Sequence, residues 1–245
     1  MTPKARDRLA AHGLRAADRL IVALDVPSPD DARALIDKIG GHAGVFKIGL
    51  ELLYNGGMEL ARELAKQGRK VFIDAKLLDI PHTVERATAN IADAGATFLT
   101  VHGHDIKTME AAMRGRGFHD LKLLAVTVLT SLDKADLEQQ GSAMAPDELV
   151  LHRAKLRRDA GFDGIIASGQ EAAAVRKAIP EDFLIITPGI RPAGADAGDQ
   201  ARVMTPAKAI AAGADYLVVG RPITQSKDPG AAAAAIVEEI EAALS

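Results

Sequence analysis

The chain has 245 residues, a formal net charge of −3, 48% hydrophobic and 26% charged residues, the balance of an ordinary globular protein rather than a disordered or fibrous one. With no Cys, no Trp and 3% aromatic residues, it is excluded from disulfide, zinc–thiolate, iron–sulfur and thiol-nucleophile chemistry. It also lacks the basic surface and stacking rings of a nucleic-acid binder. No apolar run reaches the length that spans a membrane, and the expected compartment is the cytoplasm.

Residues 1–18, MTPKARDRLAAHGLRAAD, carry arginines but also Asp7 and Asp18, and no apolar core of signal-peptide type. They are read as an N-terminal extension, either a short helix packed beneath the domain or a frayed end, in preference to a transit peptide. From residue 19 to 245 one pattern repeats. Eight short apolar runs occur: RLIVALDV (19–26), VFKIGL (45–50), KVFIDAK (70–76), TFLTVHG (97–103), KLLAVTVLT (122–130), GIIAS (164–168), FLIITPGI (183–190) and YLVVG (216–220). Each is rich in Val, Ile and Leu with little alternation, as parallel strands covered on both faces require.

Helical stretches lie between them. SPDDARALIDKIG has Ser28 as its N-cap, Asp30 and Asp31 in the first turn and a stop at Gly40. Further helices are expected to end at Gly68, Gly95, Gly115, Gly161 and Gly213, the last opening on Thr205 and Pro206. GAAAAAIVEEIEAAL closes the chain. Strand and helix alternating eight times predict an α/β protein of one domain, a (β/α)8 TIM barrel. An open doubly wound sheet fits less well, because the spacing is even and no G-x-G-x-x-G follows a strand. The longest insertion, residues 131–146, is polar and is expected to form a loop with a short helical piece.

In such a barrel the chemistry sits at the C-terminal strand ends. The polar residues placed there are Asp25, Lys47, Asp74, Lys76, Asp79, His102, Thr127, Thr130, Ser168, Arg191 and Arg221. Singly, each has an ordinary structural use. The third strand is harder to explain that way: Asp74 and Lys76 stand two apart and share a face, Asp79 follows, and Lys47 comes from the neighbouring strand. A row Lys47–Asp74–Lys76–Asp79, alternating in sign, keeps each member ionised. A lysine between carboxylates stays protonated and suits proton donation better than Schiff-base attack. A structural ion-pair network is the competing reading.

TPGIRP after the seventh run and VVGRPIT after the eighth set Gly and Arg where an anion is commonly held in this fold. The Gly- and Ala-rich segment between them reads as a mobile lid, with Gln200 able to reach a phosphate oxygen; an ordinary surface loop is the alternative.

DAKLLDIPHT (74–83) resembles the D-x-K-x-x-D-I-P-x-T signature of the orotidine 5'-phosphate decarboxylase family. The likeness continues through ALDV at Asp25, FKIGLEL at Lys47, VTVLTS at Thr130, TPGIRP at Arg191, GDQARVMTP at Gln200 and VVGRPIT at Arg221, so it covers the chain from about residue 19 onward. The resemblance implies conversion of orotidine 5'-phosphate to UMP and carbon dioxide without cofactor or metal. It implies catalytic roles for Lys76, Asp74, Asp79 and Lys47, with Lys76 protonating a C6 carbanion. It further implies ribose contacts from Asp25 and Lys47, a pyrimidine contact from Thr130, a substrate contact at Pro188, and phosphate contacts from Gln200, Gly220 and Arg221 with Arg191 at the lid base. Family members are dimers, and Asp79 and Thr83 are implied to enter the neighbouring subunit's site. Related magnesium-dependent sugar-phosphate lyases and synthases, the alternative function, carry an acid at the end of strand two; Lys47 stands there in this chain. Two departures from many bacterial members are Leu78 for His and His82 for Asn.

Overall fold

The computed structural model describes residues 13–179, 182–192 and 203–245. The first twelve residues of the extension, most of the expected lid and Gln200 lie outside them.

Eight parallel strands close into a barrel in sequence order: β1 Leu20–Ala23, β2 Val45–Ile48, β3 Lys70–Leu77, β4 Phe98–His102, β5 Lys122–Val126, β6 Gly164–Ile166, β7 Leu184–Thr187 and β8 Tyr216–Val219. The main helices between and after them are α1 Pro29–Ile39, α2 Met58–Lys66, α3 Pro81–Asp93, α4 Ile106–Arg116, α5 Pro146–Asp159, α6 Gly169–Ala178, α7 Pro206–Ala211 and α8 Pro229–Leu244. The predicted (β/α)8 barrel is the observed fold. The Ser28 cap holds, its hydroxyl accepting from the Asp31 N–H at 3.2 Å. The insertion after β5 carries a short helix, Lys134–Gln139.

Two boundaries differ from the sequence reading. α4 runs past Gly115 to Arg116 and stops at Gly117, which has φ +55°. Gly115 serves helix packing instead: a Cβ there would stand 2.3 Å from the Glu85 carbonyl oxygen of α3. The second run, expected to extend to Leu50, is strand only to Ile48; a helical turn begins at Leu50 and is broken at Asn55 and Gly56, where Gly56 has φ +83°.

Strand periodicity splits the core in two. Outward residues such as Val22, Phe46, Ile73, Leu99 and Leu123 pack under the helices. Inward residues Ile21, Val45, Phe72, Phe98, Leu124, Ile186 and Tyr216 fill the barrel, with Leu14 packed beside them. Phe98 meets Phe72 and Tyr216 edge to face, at centroid separations of 6.0 and 5.3 Å. These rings form the floor. Two residues further along β2, β3 and β4 the inward positions are Lys47, Asp74 and Thr100, so the chain's two-residue period lifts the pattern from rings to polar groups in one layer.

Candidate active site

Asp74 is the centre of the site. Lys76 Nζ lies 2.8 Å from Asp74 Oδ2; Lys47 Nζ lies 3.5 Å from the same oxygen and 3.2 Å from Asp25 Oδ1. The result is one row, Asp25–Lys47–Asp74–Lys76. The Lys47 and Asp74 side chains are only 10% and 13% exposed, Lys76 is 33% exposed, and Asp25 forms the solvent-facing end. Burial pushes the Asp74 carboxyl up, but the charges of Lys47 and Lys76 and hydrogen bonds from Lys76 and Thr100 outweigh it. The net pKa lies below the usual carboxylate value.

The row differs from the predicted one at its end. Asp25 takes part within the chain, whereas Asp79 is exposed on the loop after β3 and accepts from the Ile80 N–H at 2.7 Å. Lys76 also reaches its place by an irregular route. Between Ile73↔Leu99 and Leu77↔Val101, β3 advances four residues while β4 advances two. Lys76 takes φ +47°, the one positive φ among the described non-glycine residues, a conformation kept only where surrounding contacts hold it.

Thr100 supplies those contacts, and sequence reasoning missed it. It is fully buried on β4. Its hydroxyl donates to Asp74 Oδ1 at 2.8 Å and accepts the Lys76 N–H at 3.0 Å. One side chain thus fixes the second carboxylate oxygen and the strained backbone together. In FLTVH a threonine passes as an ordinary strand former; its inward parity with Phe98 is the signal that marks it.

A cavity of about 170 Å³ opens over the Phe72 ring, lined by Lys47, Asp74, Lys76, Thr130, Pro188 and an apolar wall including Val126 and Ile166. Thr130 and Pro188 therefore join the row. Across the mouth, a Cβ on Gly220 would lie 3.7 Å from Asp25 Oδ2, so the ends of β1 and β8 meet. Arg221 is exposed and opens a short helix, Arg221–Thr224. Arg191 is buried; its Nη1 donates to the Ile190 carbonyl at 2.9 Å. Its N–H reaches the Met204 carbonyl at 3.0 Å, and the Met204 N–H reaches the Gly189 carbonyl at 3.3 Å, pinching the strand-seven loop at its root. Thr83, Leu78 and His82 are exposed, outside the row. Thr127 and Ser168 have structural partners: Thr127 donates to the Ile166 carbonyl at 2.8 Å, and the Ser168 hydroxyl donates to Glu171.

Chemically, the site offers a buried carboxylate kept ionised and an ammonium held beside it at the edge of a small, partly apolar cavity. A closed parallel barrel with such a row at its C-terminal mouth is the architecture of a (β/α)8 enzyme. Residues 18–236 match the sequence profile of the orotidine 5'-phosphate decarboxylase / HUMPS family. The orotidine 5'-phosphate decarboxylase of Methylobacterium sp. (strain 4-46) is 58% identical over 226 residues, covering 91% of this chain and 95% of that one. That of Bradyrhizobium sp. (strain ORS 278) is 56% identical over 227 residues, covering 93% of each. The crystal structure of the Lactobacillus acidophilus enzyme of the same name superposes with a TM-score of 0.80 at 38% identity, covering 90% of this chain and 98% of that one. The chain belongs to the orotidine 5'-phosphate decarboxylase / HUMPS family.

Proposed function

We propose that the protein converts orotidine 5'-phosphate to UMP and carbon dioxide in pyrimidine biosynthesis, in the cytoplasm. The carrying observation is the Asp25–Lys47–Asp74–Lys76 row at the cavity edge. The substrate carboxylate on C6 sits toward Asp74. When the C6–carboxylate bond breaks, its electron pair stays on C6 and carbon dioxide leaves. The neighbouring Lys76 ammonium stabilises that charge and then passes its proton to C6, so the product carries a C6–H bond. Preorganised charge in a dry cavity is the means by which such a carbanion is reached without a delocalising group. The cavity, about 170 Å³, is smaller than a whole-ligand pocket of ~300 Å³ or more and takes the pyrimidine, with Thr130 bonding its edge. Ribose hydroxyls fall to Asp25 and Lys47, and the phosphate to the Gly220 N–H, Arg221 and Gln200. Phosphate binding, remote from the bond that breaks, then contributes to the chemical step.

The active form is a homodimer in which Asp79 and Thr83 enter the partner's site. Asp79 is flanked by Leu78 and Ile80, 53% and 67% exposed. Apolar residues so placed on a rim fit a surface covered by a second copy.

The magnesium-dependent sugar-phosphate reading is disfavoured by Lys47, whose ammonium stands 3.5 Å from Asp74 and repels a divalent cation there. Chelator-treated protein is expected to turn over orotidine 5'-phosphate at full rate, followed by ultraviolet absorbance, and Lys76→Ala to abolish turnover while keeping the fold. Activity only with added magnesium, or a fully active Lys76→Ala, refutes the reading.

A further inference from the structure

A second polar cluster lies at the ends of β4 and β5, and the decarboxylation uses none of it. His102, His104, Thr127, Gln140, Ser142 and Arg153 face a separate cavity of about 470 Å³. Val126, Val128 and Leu129 line both this cavity and the catalytic one. The two imidazoles meet edge to face with centroids 4.8 Å apart, and Arg153, half-buried on α5, donates to the Thr127 carbonyl. One turn on, Arg157 is 4% exposed and its Nε has no hydrogen-bond partner among the described residues. Its guanidinium packs against Gly103, between the histidines: a Cβ there would stand 2.5 Å from Arg157 Nε. His102 Nδ1 is also buried with no partner among the described residues.

Among the described residues no carboxylate pairs with Arg153 or Arg157 within 4.0 Å. Asp105, whose charge Arg157 feels, is committed to α4, accepting from the Thr108 N–H at 2.9 Å and the Thr108 hydroxyl at 2.8 Å. Burial lowers the pKa of both arginines, and that of Arg157 falls further beside Arg153. The histidines add no positive charge at neutral pH: burial, then His104, Lys76 and Arg153, hold His102 at about 4, and burial with the two arginines lowers His104. Two guanidinium groups withdrawn from water are stabilised only when an anion completes them. Their planar forks match an oxyanion, and a neutral imidazole still has one N–H to give.

We propose that this pocket is a second oxyanion site, in which Arg153 holds a phosphate or carboxylate group, the His102–His104 pair supplies neutral donors, and Arg157, buried behind Gly103, adds its charge from outside the lining. The oxyanion comes either free from solution or on a side chain of a second copy of this chain.

Equilibrium dialysis of the full chain against labelled inorganic phosphate, with sedimentation equilibrium at low salt, tests the proposal. If the anion is free, Arg153→Gln weakens phosphate binding by at least about tenfold, Arg153→Lys retains part of it, and Arg221→Ala leaves this site intact. His104→Gln, which keeps both arginines, gives a smaller loss of the same sign. If a second copy supplies the anion, Arg153→Gln leaves phosphate binding unchanged and raises the dimer dissociation constant by at least about tenfold. Folded Arg153→Gln and His104→Gln proteins that match wild type in both measurements overturn the proposal.

Discussion

Thr100→Val separates hydrogen bonding from shape, because valine fills the same volume without the hydroxyl. The substitution removes the 2.8 Å bond to Asp74 Oδ1 and the 3.0 Å bond from the Lys76 N–H. A hydrogen bond to a charged group contributes about 1.5–3 kcal/mol, and a buried donor left without a partner costs about 1–3 kcal/mol. Part of this falls on folding stability and part on the transition state, since Lys76 loses the contact that holds its left-handed backbone. If about 1.4–2.7 kcal/mol falls on the barrier, kcat drops about 10- to 100-fold. KM is expected to stay within about threefold, because no substrate-contacting group has been removed. The acid limb of the pH–rate profile moves up, since Thr100 is one of the groups holding the Asp74 carboxyl down. Initial rates of absorbance change, measured from strongly acidic to neutral pH, read all three quantities. Thr100→Ser, which restores the hydroxyl, is expected to recover most of kcat. A Thr100→Val enzyme with wild-type kcat and an unmoved acid limb refutes the assignment.

Mixing equal amounts of inactive Lys76→Ala and Asp79→Ala proteins and allowing subunits to exchange is expected to restore about a quarter of wild-type activity. Half the dimers are then hybrids, each with one intact site; no recovery refutes the shared site. His102 titrates at 6.5 when unfolded but at about 4 in the fold. The unfolded chain therefore takes up that proton first, and stability falls as pH drops through this window. Thermal unfolding of His102→Gln is expected to show a shallower fall over the same range, and identical slopes count against it. Gly115→Ala drives a methyl to within 2.3 Å of the Glu85 carbonyl oxygen and is expected to lower stability by about 1–3 kcal/mol; an unchanged denaturant midpoint refutes that contact.

The barrel was legible because strands covered on both faces must be apolar throughout, and because helices that stop at left-handed residues leave glycines at their ends. Asp74, Lys76 and Lys47 stood out as charges inside such runs. Other features left no such mark. Gly115 looks like a helix stop, and only the approach of α3 shows that it is a packing contact. Nothing in KVFIDAKL announces that residue 76 leaves the extended conformation, since that follows from how β4 pairs with it. Arg157 sits in HRAKLRR, where a run of cations reads as a solvated helix face, yet the fold buries this one against Gly103. The sequence reading placed Asp79 in the row, but within one chain Asp25 has that neighbourhood, because the loop after β3 points Asp79 outward.

The bridge between Ile190 and Met204, with the backbone bonds of Arg191 and Met204 beside it, fastens the loop between β7 and α7 like a drawstring. A pull on the chain from beyond that knot is taken up by these bonds before it reaches a barrel strand. The catalytic charges in the wall below are therefore moored independently of whatever happens to chain length beyond that knot.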